Sequence, residues 1–220
     1  MSESFVVGPV TDVSEDAAFA FHRDNLGDFI LPLPRDTFRR IVEERQAIAV
    51  EQGGEIAGIC YVKPDGKELD DVVRWEFGGL FLAPALRGLG LGALLSSVAI
   101  AAVARADGKP VMGYVHQDNQ EGLGLLVRRL GFRMTGQTIR LGPDDAAGYL
   151  RRDSAGFAAA NILRLPDAAL ARIADAVEHL DDGSRSRSGR IPVRLADGLF
   201  PAGPREAAQC LRVFAERSES

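Results

Sequence analysis

The residues Pro84-Ala85-Leu86-Arg87-Gly88-Leu89-Gly90-Leu91-Gly92-Ala93-Leu94-Leu95 set three glycines alternately with leucines directly behind an arginine. No charge follows until after Ala104, and Leu91, Leu94, Leu95, Val98 and Ala102 keep the 3–4 spacing of a helix with one buried face. A glycine inside a helix costs about 1 kcal/mol relative to alanine. These glycines therefore read as a helix entrance rather than as helix interior. The first-turn N–H groups of a helix lack carbonyl partners, and the helix dipole adds positive potential there. Glycine lets an anion come close because no Cβ intervenes.

Working outward, Asp71 to Pro84 is a long extended stretch interrupted by Gly78-Gly79, a pattern of a bulge or a close backbone approach. Before it, Ala47 to Pro64 reads as two strands around a Gly53-Gly54 turn. The chain opens with a strand near Ser4–Val10 and two helices, one with Ser14 as N-cap and one carrying Phe38 and Ile41. After the glycine stretch come a strand at 111–117, a helix with Asp118 as N-cap and Leu123, Leu126 and Leu130 on one stripe, and two more strands flanking a loop near 142–156. A further amphipathic helix carries Leu170, Ile173, Val177 and Leu180; a polar Ser/Arg linker and a terminal helix follow.

Two chemistries use such an entrance. In a dinucleotide fold, Gly88-x-Gly90-x-x-Ala93 would cradle the pyrophosphate and Asp118 would hold a ribose. Against it, Ala83 to Arg87, including Pro84, separate the strand from the first glycine, and the unit follows a helical segment and an antiparallel-looking hairpin rather than opening its domain. The other match is wider. Arg87-Gly88-Leu89-Gly90-Leu91-Gly92 fits an Arg-x-x-Gly-x-Gly pattern, and Val115 to Phe132 runs strand, Asn, helix and closing Gly131-Phe132. Over residues 4–165 the sequence resembles the GCN5-related N-acetyltransferase superfamily. A plain strand-to-helix turn is the bland alternative.

The resemblance implies an α/β fold with a mixed, mostly antiparallel sheet flanked by helices, opened in a V between the fourth and fifth strands. It implies residues 1–165 as an acyl-coenzyme A-dependent domain and 166–220 as a C-terminal helical extension, with its linker near 181–190. The co-substrate would be acetyl-coenzyme A. Its pyrophosphate would rest on the amides of Arg87, Gly88, Leu89, Gly90, Leu91 and Gly92, and its pantetheine arm on the backbone of Leu80, Phe81 and Leu82. The Leu80 amide is the candidate oxyanion donor, and Asn119 resembles the coenzyme-contacting Asn. The implied reaction is direct acetyl transfer, in a ternary complex, to a primary amine on a small molecule or protein. A non-catalytic acyl-coenzyme A-binding module is the rival from another class.

Such an amine, with a pKa near 10.4, is about one part in a thousand neutral at pH 7, so a base is useful. Glu76 is the first candidate; simple alternation over six residues puts it on the face of Leu80 and Leu82. An ion-paired strand residue is the plain alternative. The family's acid Tyr position, five residues before Phe132, holds Val127, beside Leu126. That leaves Tyr114, Tyr149, His116 or water, and a thiol of pKa near 8.5 leaves without much help. His22 and His179 read as surface residues, Cys60 and Cys210 as small buried hydrophobes, and no His/Cys spacing suggests a metal.

The bulk numbers set outer bounds. Lys plus Arg count 26 against 31 Asp plus Glu, giving a net charge of −5 over 220 residues. That balance argues against a nucleic-acid partner. The uncharged run falls short of the about 20 apolar residues of a membrane span, and the start MSESFVVGPV lacks a basic, apolar leader. The expectation is a cytoplasmic protein, with homodimerisation through the C-terminal helices open.

Overall fold

The computed structural model describes residues 5–66, 72–103, 109–142, 150–182 and 192–217. The elements in chain order are β1 (Phe5–Pro9), α1 (Glu15–Asp24), α2 (Arg35–Glu43), β2 (Ala47–Gln52), β3 (Glu55–Pro64), β4 (Trp75–Leu82), α3 (Leu91–Val103), β5 (Val111–His116), α4 (Gln120–Leu123), β6 (Arg133–Leu141), β7 (Ala158–Leu165), α5 (Leu170–Glu178), β8 (Val193–Leu195) and α6 (Pro204–Arg217). One eight-stranded sheet runs β6-β7-β5-β4-β3-β2-β1-β8. β4–β5 and β1–β8 pair in parallel and the other neighbours antiparallel.

The Gly53-Gly54 signal is a tight β2–β3 turn, with φ of +61° and +86° at the two glycines, which the turns matching strand twist demand. The two faces of the sheet are separately covered. Cys60, Val62, Phe77 and Val115 point to the face packed by α3, α5 and α6. Ile59, Tyr61 and Phe81 point to the opposite face, packed by Phe38, Ile41 and Ala18 of α1 and α2.

α3 is buried on nearly every side, from Leu91 through Ala101, rather than along one stripe. Its outer side is covered because Ile173, Ala174 and Val177 of α5 and Ala207, Ala208 and Leu211 of α6 join the same apolar cluster. Ser96 tolerates this burial by donating its hydroxyl to the Gly92 carbonyl (2.7 Å). α6 is tied to α5 by Arg212, which reaches Glu178 at 2.6 Å and Asp175 at 2.9 Å. β8, unforeseen from the sequence, adds a parallel edge strand to β1. The expected linker beyond residue 182 lies outside the described residues, as does Tyr149.

Three local expectations are corrected. Ser14 occupies the α1 N-cap position but does not cap with its side chain; its oxygen accepts from the Thr11 amide (3.0 Å) instead. The α4 cap is Asn119, whose Oδ1 accepts from the Gly122 amide (2.8 Å), and not Asp118. His22 is 1% exposed. It is stacked on Phe38 and edge-on to Phe81.

Candidate active site

The β4–β5 ladder contains three rungs, Trp75–Val111, Glu76–Met112 and Phe77–Gly113, and then ends. Beyond it β5 continues to His116 against β7, and β4 continues to Leu82 against β3. The two parallel strands therefore part in a V at Gly78 and Tyr114.

The parting begins where β4 carries one extra residue. Tyr61 pairs with Gly78 and Ile59 with Phe81, so two steps along β3 match three along β4. Gly79 has φ +58°. A Cβ there would lie 2.0 Å from Cε1 of Tyr61. The buried Tyr61 ring thus fills the space under the bulge, and both backbone conformation and packing require glycine.

This extra residue reverses the alternation assumed from sequence. Glu76 registers with Lys63 and shares its face with Gly78, Phe81 and Tyr61, not with Leu80 and Leu82. Leu80 and Leu82 turn instead toward α3, beside Gly92. The Glu76 carboxylate is ion-paired: its Oε2 meets Lys63 Nζ at 2.8 Å, with side-chain exposures of 14% and 18%. The burial of both partners sets this pair apart from an ordinary surface bridge.

At the open end of the V lies the glycine stretch. Pro84–Leu86 makes one 3-10 turn, and the Arg87 amide is consumed there by the Pro84 carbonyl (3.3 Å). Arg87 is thereby removed from the amide cradle expected from the sequence, while its guanidinium Nε donates to the Leu82 carbonyl (3.3 Å). Gly88 and Gly90 have φ of +74° and +84°, and a Cβ on either would meet nothing within 4 Å. Their glycines answer to backbone shape and leave open space in front. The first α3 hydrogen bond runs from the Leu94 amide to the Gly90 carbonyl (3.2 Å). The Leu91, Gly92 and Ala93 amides thus form a first turn with no helical carbonyl to bond. An anion fits this end of the helix.

The C-terminal end of β5 closes the other side. α4 runs into a π-helical turn, Gly124–Leu130, which ends at left-handed Gly131. Leu125 approaches Gly92 of α3. Val127, where the resemblance leads one to expect a Tyr, is 37% exposed. Asn119 stands at the mouth with its oxygen committed to the α4 cap.

Tyr114 and His116 alternate with Gly113, whose Cβ direction points to Leu126 and Phe132 on the α3 face. Both therefore face the α1–α2 side, as Glu76 does. Tyr114 donates its hydroxyl to Asp65. Burial, then the Asp65 hydrogen bond and charge, push this phenol well above its ordinary value. His116 Nδ1 accepts from the Asp118 amide (3.2 Å). That leaves the ring proton on Nε2, which donates to the Arg151 carbonyl (2.8 Å). The Arg151 amide donates to the Asp28 carbonyl (2.7 Å), and Phe29 packs on the His116 ring at 5.2 Å. The loops before α2, after β5 and before β7 are thus sewn together over one side of the V.

Lys63, Asp65, Tyr61 and Phe29 had no motif to announce them. Lys63 was readable only through the β3–β4 register, which depends on the bulge. Of the cysteines, Cys60 is buried, with its thiol pushed up by burial, but Cys210 is exposed. Among the described residues no group of three His, Cys, Asp or Glu is placed to hold a metal, and no helix is long and apolar enough to cross a membrane.

The model of the acetyltransferase (GNAT) family matches residues 14–132, more than half of the chain. The chain is a member of the GNAT acetyltransferase family. The eight-stranded, mostly antiparallel sheet with its flanking helices is that family's fold, not a doubly wound dinucleotide fold. A GNAT acetyltransferase from Streptococcus pneumoniae matches with TM-score 0.55 at 17% identity, covering 73% of this chain and 98% of that one. YncA, a putative acetyltransferase from Salmonella typhimurium solved with acetyl-CoA, gives 0.54 at 20%, covering 74% and 93%. Arabidopsis thaliana Naa50, in complex with the bisubstrate analogue CoA-Ac-MVNAL, gives 0.53 at 13%, covering 73% and 97%. No curated protein sequence matches this chain.

Proposed function

We propose that this GNAT protein is an acetyl-coenzyme A-dependent N-acetyltransferase acting on a primary amine by direct transfer in a ternary complex. The observation that carries this reading is the open first turn of α3, with glycines of positive φ before it, placed at the mouth of the β4–β5 V. The coenzyme pyrophosphate takes the amides from Gly88 to Ala93, and charge-assisted hydrogen bonds there contribute about 1.5–3 kcal/mol each. The pantetheine arm follows the β5-facing edge of Leu80, Phe81 and Leu82, which no β5 rung covers. Leu80, next to the bulge, presents its amide to the acetyl carbonyl oxygen. Asn119 donates from its amide nitrogen to the coenzyme.

α3, α5 and α6 fill one face of the sheet, so the acceptor enters from the α1–α2 side. Glu76 faces that side and is the base, with Lys63 holding one of its oxygens. His116, with both ring nitrogens on backbone partners, positions the three loops. Val127 in place of the family's acid favours the second reading, a module that binds acyl-coenzyme A without turnover. Release of coenzyme A thiol across a panel of primary amines, wild type against Glu76→Gln, separates the two. Acetyl-coenzyme A-dependent release that falls at least tenfold in Glu76→Gln supports the enzyme; saturable binding with no release for any amine supports the module.

A further inference from the structure

Tyr114 is the first β5 residue past the last β4 rung, and its side chain reaches across β4 to Asp65, just beyond the end of β3. Both side chains are half-buried, and Tyr114, next to Gly113 on the strand, lies on the face opposite Leu126 and Phe132, the α1–α2 side. Asp65 is fixed by its own backbone, whose amide donates to the Arg74 carbonyl (2.9 Å). The carboxylate can only accept, so the phenolic proton lies between Tyr114 and Asp65. A phenol whose proton is held in this way does not offer it to a leaving thiolate. What it presents to another partner is its oxygen, made more electron-rich by the charge behind it.

Building on the acetyltransferase reading, we propose that Tyr114 is the contact residue for the acceptor amine, its hydroxyl oxygen accepting a hydrogen bond from the substrate N–H, with Asp65 as the positioning residue that fixes the hydroxyl in that sense. This subsite selects a nitrogen that still carries hydrogen beside the one lone pair that attacks. Glu76, whose rung partner Met112 lies two residues before Tyr114, shares its face, and its charge acts on the Tyr114 phenol. Tyr114 is accordingly a substrate contact in this protein and not the general acid.

The test uses two ligands on the full chain by titration calorimetry. One is acetyl-coenzyme A. The other is a bisubstrate probe in which the coenzyme A sulfur is joined through –CH2–CO– to the nitrogen of propylamine, so that its amide N–H occupies the acceptor position. Tyr114→Phe and Asp65→Ala are each expected to leave acetyl-coenzyme A affinity within twofold of wild type and to weaken the probe about tenfold, the loss of one charge-supported hydrogen bond. The double variant is expected to lose no more than Tyr114→Phe alone, since both act on one contact. Thermal melting of each unliganded variant within a few degrees of wild type separates loss of contact from loss of fold. Wild-type probe affinity in Asp65→Ala or Tyr114→Phe overturns the subsite. Equal weakening of both ligands overturns it too, since the effect is then not at the acceptor end. Failure of acetyl-coenzyme A to bind wild type refutes the underlying acetyltransferase reading instead.

Discussion

Replacing Gly79 by alanine tests the bulge on which the V depends. The residue has φ +58°, where a Cβ-bearing residue pays about 1–2 kcal/mol. The added methyl would also sit 2.0 Å from Cε1 and 2.8 Å from Cζ of Tyr61. The Tyr61 ring is buried and cannot swing into solvent, so overpacking adds about 1–3 kcal/mol. The sum is about 2–5 kcal/mol. For a chain of this size about 2–4 °C of melting temperature accompanies each kcal/mol, so Gly79→Ala should melt roughly 4–20 °C lower. Gly54→Ala is the matched control: φ is +86° but nothing lies within 4 Å of its Cβ position. It carries the conformational cost alone, about 1–2 kcal/mol. The assay is urea or thermal unfolding of both variants, with Tyr61→Ala and the Tyr61→Ala/Gly79→Ala pair completing a cycle. The double variant should be less destabilised than the two singles added, because the clash partner is gone. Gly79→Ala costing no more than Gly54→Ala, together with strict additivity, would refute the packing argument.

Other outcomes follow from single sites. His22 is held neutral by burial, its pKa lowered, with Nε2 accepting from the Leu33 amide. The unfolded chain therefore takes up a proton below about pH 6.5 that the folded chain refuses. Stability is unaffected above that pH and falls as pH drops toward the folded value, by at most about 1.4 kcal/mol per pH unit; denaturant midpoints from pH 7.5 to 5 should show the slope, and His22→Leu should flatten it. Asn119→Ala removes the α4 cap and should lower stability by about 1 kcal/mol, read as a shift in unfolding midpoint at unchanged m-value. A thiol reagent should label Cys210 at once in the native protein and Cys60 only after unfolding, checked by mass spectrometry of the peptides.

Much of the fold was legible because its signals are local. The Gly53-Gly54 turn, the Pro84 break and the RGLGLG entrance each announce a backbone shape within a few residues. The order of elements around them is enough to distinguish this sheet from a doubly wound one. What stayed hidden depends on contacts between distant segments. Val193–Leu195 is too short to show alternation, and its partner β1 lies at the other end of the chain. His22 sits on an ordinary amphipathic helix, and only the meeting of Phe38 and Phe81 buries it. The single-stripe reading of α3 missed the cover that α5 and α6 supply. At the site, Gly78-Gly79 was visible as a break, but its effect on side-chain parity required the β3 register, which moved Glu76 to the other face.

The central claim is that the α3 entrance cradles the coenzyme pyrophosphate, and Gly90→Asp tests it most directly. The position has φ +84° with open space at Cβ, and Asp tolerates this conformation better than most residues. The variant should fold, but it places a carboxylate in the proposed phosphate cradle. Wild type at 100 times Kd of acetyl-coenzyme A gains about 2.7 kcal/mol, or roughly 5–11 °C in melting temperature, and NAD produces no such shift. The account predicts that Gly90→Asp, melting within a few degrees of wild type when unliganded, loses the acetyl-coenzyme A shift. An undiminished shift in that variant, or a wild type that responds to NAD and not to acetyl-coenzyme A, would contradict it.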